Sequence, residues 1–136
     1  MIALIGCVKS KRKRSCKAAD MYISPLFRKS LNYASKTCAK TYILSAKYGL
    51  LRMDDIISPY NETLNQKTEH EKKIWAAKVY RQMQEEGIST EDKIMFLSGK
   101  NYYKYLKMIY KNSITPLAGL QMGKRLKWLK ENEETT

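Results

Sequence analysis

Hydroxyls, lysines and tyrosines stand where the apolar runs of this chain stop. Ser45, Lys47 and Tyr48 follow Tyr42-Ile43-Leu44, Lys100, Asn101 and Tyr102 follow Ile94 to Leu97, and Cys7 and Ser10 lie at the end of the first run. Asp54 and Asp55 come soon after the second run, with Tyr60 close behind. An aspartate at a strand exit among cations could polarise a water or stabilise a cationic, sugar-like transition state. Asp54 and Asp55 are therefore the candidate catalytic pair, with an ordinary turn or helix cap as the alternative role. Cys7, Ser10, Ser45, Lys47, Tyr48, Tyr60, Lys100, Asn101 and Tyr102 are candidate substrate-binding residues. Small residues let backbone N–H groups face an anion, although they also make tight turns. Aromatic faces among lysines suit base stacking, and Asn101 could read a base edge. Core packing with a hydroxyl at the rim is the competing explanation for the tyrosines.

The segment KSKRKRSCK supplies six cations and no acid: Lys9, Lys11, Arg12, Lys13, Arg14 and Lys17. It reads as a loop that contacts phosphates. The whole chain has 26 Lys+Arg against 13 Asp+Glu, a net charge of +13 in 136 residues. Such an excess repels itself and suits a polyanion, nucleic acid first. A lysine-rich surface with no such partner is the alternative.

Several classes receive no support. Neither G-x-x-x-x-G-K-[ST] nor G-x-G-x-x-G occurs, which argues against nucleoside triphosphate or dinucleotide use. The one histidine, His70, lies in a hydrophilic stretch, so a Ser-His-Asp triad is not expected. Cys7, Cys16 and Cys38 have no zinc spacing, and no metal or cofactor is expected. No apolar run is long enough to span a bilayer, and the N-terminal MIALIGCV lacks the flanks of a signal peptide. The expectation is a cytoplasmic protein with no membrane partner.

The elements that must position these residues alternate. Strands are predicted over Ile2 to Val8, Thr41 to Ala46, Lys93 to Ser98 and Ile114 to Leu117. Helices are predicted from Ser24-Pro25 to about Lys36 to Cys38, over Lys67 to Glu86, Lys100 to Lys111 and Met122 to Asn132. In the long helix the expected apolar side is Ile74, Ala77, Val79, Tyr80 and Met83. Residues 47–64 read as irregular, and 131–136 as a frayed tail. This order predicts one α/β domain over 1–136, a three-layer sandwich with an about four-stranded, mainly parallel sheet and helices on both faces. In such a sheet the carboxyl ends of the strands hold the ligand. All four exits carry small residues, and lysines recur among them.

The block LSAKYGLL-x-x-D-x-I-x-PY (Leu44 to Tyr60) resembles one in the family of peroxide stress protein YaaA. Y-x-SPLF (Tyr22 to Phe27), Gly99 to Leu106 and PLAGLQMGKRLKWL (Pro116 to Leu129) extend the resemblance over nearly the whole chain. It implies DNA rather than RNA as partner, and a fold distantly like that of uracil-DNA glycosylases, with a base pocket at the strand ends. The chain lacks the G-x-D-P-Y and histidine motifs of those enzymes. The combined expectation is a DNA-binding protein with a base- or nucleotide-sized pocket, acting, if an enzyme, as an N-glycosidic bond hydrolase or transferase. A small-molecule nucleoside or nucleotide enzyme, and a phage-type protein binding an acidic host partner, are the alternatives.

Overall fold

The computed structural model describes residues 1–6 and 11–134. Its first strand, β1 (Ile2–Gly6), is buried from Ala3 onward, as an unbroken apolar run with no polar face demands. It forms the middle of the sheet. The chain continues through β2 (Cys16–Lys17), α1 (Ala18–Met21), α2 (Pro25–Thr37), β3 (Lys40–Ser45), β4 (Gly49–Leu51) and β5 (Ile56–Ile57). After a 3-10 turn (Leu64–Gln66) come α3 (Glu69–Glu85), β6 (Ile94–Leu97), α4 (Lys100–Tyr103), α5 (Leu106–Ile109), β7 (Ser113–Ile114) and α6 (Met122–Glu134). The sheet order is β4-β3-β1-β6-β7. Only β4 is antiparallel to its neighbour.

The expected α/β sandwich is present. The sheet has five strands rather than about four, because Gly49 at φ +79° turns the chain back and lets Leu50 and Leu51 pair with β3. The crossovers through α2 and α3 step in opposite directions across the sheet. With right-handed connections this puts α2 and α3 on opposite faces. α6 packs on α2, with Tyr33 and Trp128 edge to face at 5.1 Å. α4 and α5 lie on the α3 side, through Trp75–Tyr102 at 5.7 Å and Lys104–Glu69 at 2.9 Å.

Local signals explain the helix ends. Ser24 Oγ accepts from the Phe27 N–H at 3.2 Å, with Pro25 at the first helical position. α3 starts two residues later than expected because Thr68 and Glu71 form a reciprocal capping box. Its buried side is Lys72, Trp75, Ala76, Val79 and Met83. Ile74 is 57% exposed, so the predicted apolar stripe was about one position off. The predicted Lys100 to Lys111 helix is two short helices, and β7 is shorter than the predicted fourth strand. α6 continues through Glu134, beyond the point where fraying was expected, and Lys36 Nζ donates to Glu133 at 2.7 Å.

Candidate functional site

Ser45 closes β3 and is fully buried. Its Oγ donates to Tyr60 OH at 2.8 Å and accepts from the N–H groups of Tyr48 at 3.0 Å and Lys47 at 3.3 Å. Tyr60 OH in turn shares a hydrogen bond of 2.7 Å with the buried Tyr22 OH. The Ser45 hydroxyl, expected as a substrate-binding group, is occupied within the fold, where it supports the turn that carries Lys47 and Tyr48.

Two side chains of α3 hold that turn from the other face. Trp75 Nε1 donates to the Ser45 carbonyl at 2.9 Å. Gln82 Oε1 accepts from the Leu50 N–H at 2.8 Å, and its Nε2 donates to the Tyr48 carbonyl at 3.1 Å. A Cβ on Gly49 would lie 2.2 Å from Gln82 Oε1. The glycine of the LSAKYGLL block is thus needed for its positive φ and for this clamp. Neither Trp75 nor Gln82 was singled out from sequence. The signal was the stripe Lys72, Trp75, Val79, Gln82, which follows helical spacing.

Around this buried centre stands a rim of cations and rings. Lys11 Nζ sits 4.6 Å from the Tyr60 ring centroid, and Lys47 Nζ 5.3 Å from that of Tyr48. The two tyrosine rings meet edge to face at 5.6 Å. Tyr48 OH donates to the Ser58 carbonyl at 3.2 Å, and Ser58 Oγ shares a 2.9 Å hydrogen bond with Ser15 Oγ. Lys9, Ser10 and Cys7 lie outside the described residues. Residues 11–17 were expected as a loop, but are tied down. Lys11 bridges to Tyr22, the Arg12 N–H donates to the Met21 carbonyl at 2.8 Å, and Cys16–Lys17 pairs with Ile56–Ile57. Lys13, Arg14 and Lys17 are exposed.

The exit of β6 forms the second rim. Tyr102 is buried against Trp75, and Asn101 Nδ2 donates to Asn65 Oδ1 at 2.6 Å, joining α4 to the turn before α3. Lys100 is exposed. Ser98 is 7% exposed, and its Oγ has no hydrogen-bond partner among the described residues. Gly6 lies against it, since a Cβ there would come within 2.6 Å of Ser98 Cβ. Beyond these residues, Glu69 accepts from Lys104 at 2.9 Å, Lys72 at 3.1 Å and Tyr105 OH. These donors, Tyr105 first, lower the Glu69 carboxyl to about 2. Between the β3 exit and the start of α3 lies an open groove of about 310 Å³, lined in part by Lys47, Lys67, Ile74, Trp75 and Lys78.

Asp54 and Asp55 lie away from the β3 exit, beside the end of the basic segment, where the Ala18 N–H donates to the Asp55 carbonyl at 2.7 Å. The register Leu51 with Ile43 carries the chain two residues back from the Ser45 level, about 7 Å at roughly 3.3 Å per residue. There Asp55 Oδ2 accepts from the Arg52 N–H at 2.8 Å, closing a turn, and Asp54 is exposed. Arg52 reaches away to Glu86, whose carboxyl it holds below the ordinary value. The alternative reading of the pair, as turn aspartates, describes their geometry. Among the described residues no three His, Cys, Asp or Glu side chains are grouped to hold a metal. Nor is any helix there long and apolar enough to cross a membrane. The predicted fourth exit also differs, since β7 ends at Ile114 on the edge of the sheet.

The fold and rim define a small α/β protein with cations and aromatic rings gathered at the carboxyl end of a mostly parallel sheet. The chain belongs to a family of unknown function (DUF6884), whose model matches residues 2–131. It is also 35% identical over 94 residues to uncharacterized protein YfjM of Bacillus subtilis (strain 168). That match covers 68% of this chain and 61% of the relative, so the chain spans less than two thirds of the relative's length.

Proposed function

We propose that this protein binds nucleic acid, DNA before RNA, on the face formed by residues 11–17 and the turn at Lys47 and Tyr48. The observation that carries the reading is electrostatic. Lys11, Arg12, Lys13, Arg14, Lys17 and Lys47 stand together with no ion pair among the described residues. Cations left uncompensated on one face repel one another until a polyanion arrives. Lys11 and Lys47 rest on tyrosine rings, which position them without neutralising them. The resemblance to the YaaA family supports the same reading. The groove beside Trp75 is large enough for one base or nucleotide, at the lower end of ligand-site volumes.

The proposal stops at binding. N-glycosidic chemistry would need a carboxylate at the exits, and Asp54 and Asp55 stand apart from them. Binding to a short DNA duplex should weaken steeply between about 50 and 200 mM salt. The double substitution Lys13→Gln/Arg14→Gln should reduce the log–log salt slope by about two. Binding that is absent, or insensitive to salt, would sink the reading.

A further inference from the structure

The two faces of the sheet differ in electrostatic character. Residues 54–111, which include α3, α4 and α5, contain nine acids and ten bases. Outside that stretch the acids are only Asp20, Glu131, Glu133 and Glu134. On the α3 side several cations are compensated: Lys72 and Lys104 pair with Glu69, Lys67 with Glu62, and Arg52 with Glu86, while Lys73, Lys78 and Arg81 make no ion pair among the described residues. On the other face α2 holds Arg28, Lys29 and Lys36 and no acid, and α6 holds Lys124, Arg125, Lys127 and Lys130 before its first acid.

The pairing of α2 with α6 sorts these charges along the helices. Tyr33 meets Trp128, and Lys36 meets Glu133, so the two helices run in the same direction. Lys29 is four residues before Tyr33, and Lys124 four before Trp128. At about 1.5 Å per residue both lie about 6 Å nearer the helix starts, level with one another. The three acids of α6 gather at the opposite end. Arg28, Lys29, Lys124 and Arg125 have no ion pair among the described residues.

This cationic end is continuous with residues 11–17. Arg12 Nε donates to the Asp20 carbonyl at 2.8 Å, and Arg28 NH1 donates to the Ala19 carbonyl at 2.5 Å. Two guanidinium groups are thus anchored on adjacent carbonyls. Asp20 makes no ion pair with either of them. Such an arrangement is favourable when phosphates lie across both. The aromatic rings between α2 and α6, Tyr33 and Trp128, are half-buried against each other rather than presented for stacking.

We infer that the nucleic acid is a duplex whose backbone runs from residues 11–17 across Arg28 onto the amino-terminal halves of α2 and α6, leaving the part of α3 that carries Lys73 and Arg81 turned away. This inference rests on the nucleic-acid reading above and extends it to a second surface. A face that offers cations without exposed rings contacts backbone phosphate rather than bases, which favours a duplex over a single strand.

The test compares three double variants of the full chain by salt titration of binding to a DNA duplex and to a single strand of equal length. They are Lys29→Gln/Lys124→Gln, Lys13→Gln/Arg14→Gln, and Lys73→Gln/Arg81→Gln on α3. None of these six side chains makes an ion pair among the described residues, and melting temperature is checked for each. The expected result is a slope reduced by about two for each of the first two variants, unchanged for the third, with the duplex bound more tightly. If only Lys13→Gln/Arg14→Gln changes the slope, the α2–α6 surface is overturned and the binding reading stands. If all three change it equally, the directional footprint is overturned. Tighter binding of the single strand overturns the duplex. If wild-type binding is absent or salt-insensitive, the parent reading falls.

Discussion

Leu44-Ser45-Ala46-Lys47 and Leu97-Ser98-Gly99-Lys100 are almost the same sequence at two strand exits of one sheet. Their serines are buried alike and have opposite fates. Ser45 Oγ makes three hydrogen bonds, to Tyr60, Lys47 and Tyr48. Ser98 Oγ makes none among the described residues and lies against Gly6. The glycines differ too. Gly49 is held at positive φ beneath the Gln82 amide, whereas a Cβ on Gly99 would meet nothing within 4 Å. The first exit is a built scaffold that presents Lys47 and Tyr48. The second retains unused hydrogen-bonding capacity and a shorter, less constrained connection. An exit motif therefore specifies where a turn occurs, and the elements that cover it specify what its side chains do.

The largest expected effect that would break this comparison is at the glycines. Gly49→Ala combines a left-handed backbone with the loss of the Gln82 bonds and should destabilise by about 3 kcal/mol. Gly99→Ala, at an open helix cap, should stay within about 0.5 kcal/mol. Urea denaturation of both settles the point, and equal losses would remove the asymmetry. The serines come next. Ser45→Ala strips a partner from Tyr60 and from two backbone N–H groups, which predicts a loss of about 1–3 kcal/mol. Ser98→Ala deletes a hydroxyl that has no partner among the described residues and should be neutral or stabilising by up to about 1 kcal/mol. A Ser98→Ala loss as large as that of Ser45→Ala would mean that the two exits are equivalent.

The smallest effect concerns pH and sharpens the second exit. Glu69 ties α3 to Lys104 and Tyr105, and its folded carboxyl lies near 2 against an ordinary 4.5. A lowered folded value means stability that is present above about 4.5 and lost as pH falls towards 2. Wild type should melt above Glu69→Gln at neutral pH, and the gap should close as pH approaches 2. A gap independent of pH would show that the carboxylate charge is not what joins these elements. Solvent exposure keeps the effect modest.

The alternation of strands and helices was legible because buried parallel strands read as continuous apolar runs, here residues 2–6, 42–44 and 94–97. The caps at Ser24 and after Glu86 were legible because they act over a few residues. The side of α3 that faces the core was misread. Trp75 and Ala76 go in while Ile74 stays out, because long-range packing selects between two overlapping stripes. β4 was missed because three residues carry almost no periodic signal, and only the geometry of Gly49 and the presence of β3 make them a strand.

For the candidate site, sequence marked Lys47, Tyr48, Tyr60 and the basic segment, whose residue types alone point to anions and rings. It grouped Asp54 and Asp55 with them through nearness in the chain, but the hairpin carries these aspartates away from the exit. Sequence by itself determined the net charge, the alternation of the main strands and helices and the placing of small residues and lysines at strand ends, since these depend on composition and local periodicity. Tertiary structure alone decided which serine is satisfied and which cations stay unpaired. Those outcomes depend on Tyr22, Tyr60, Gln82, Glu69 and the pairing of α2 with α6, groups far apart in the chain that meet only when the sheet and its two helical layers close.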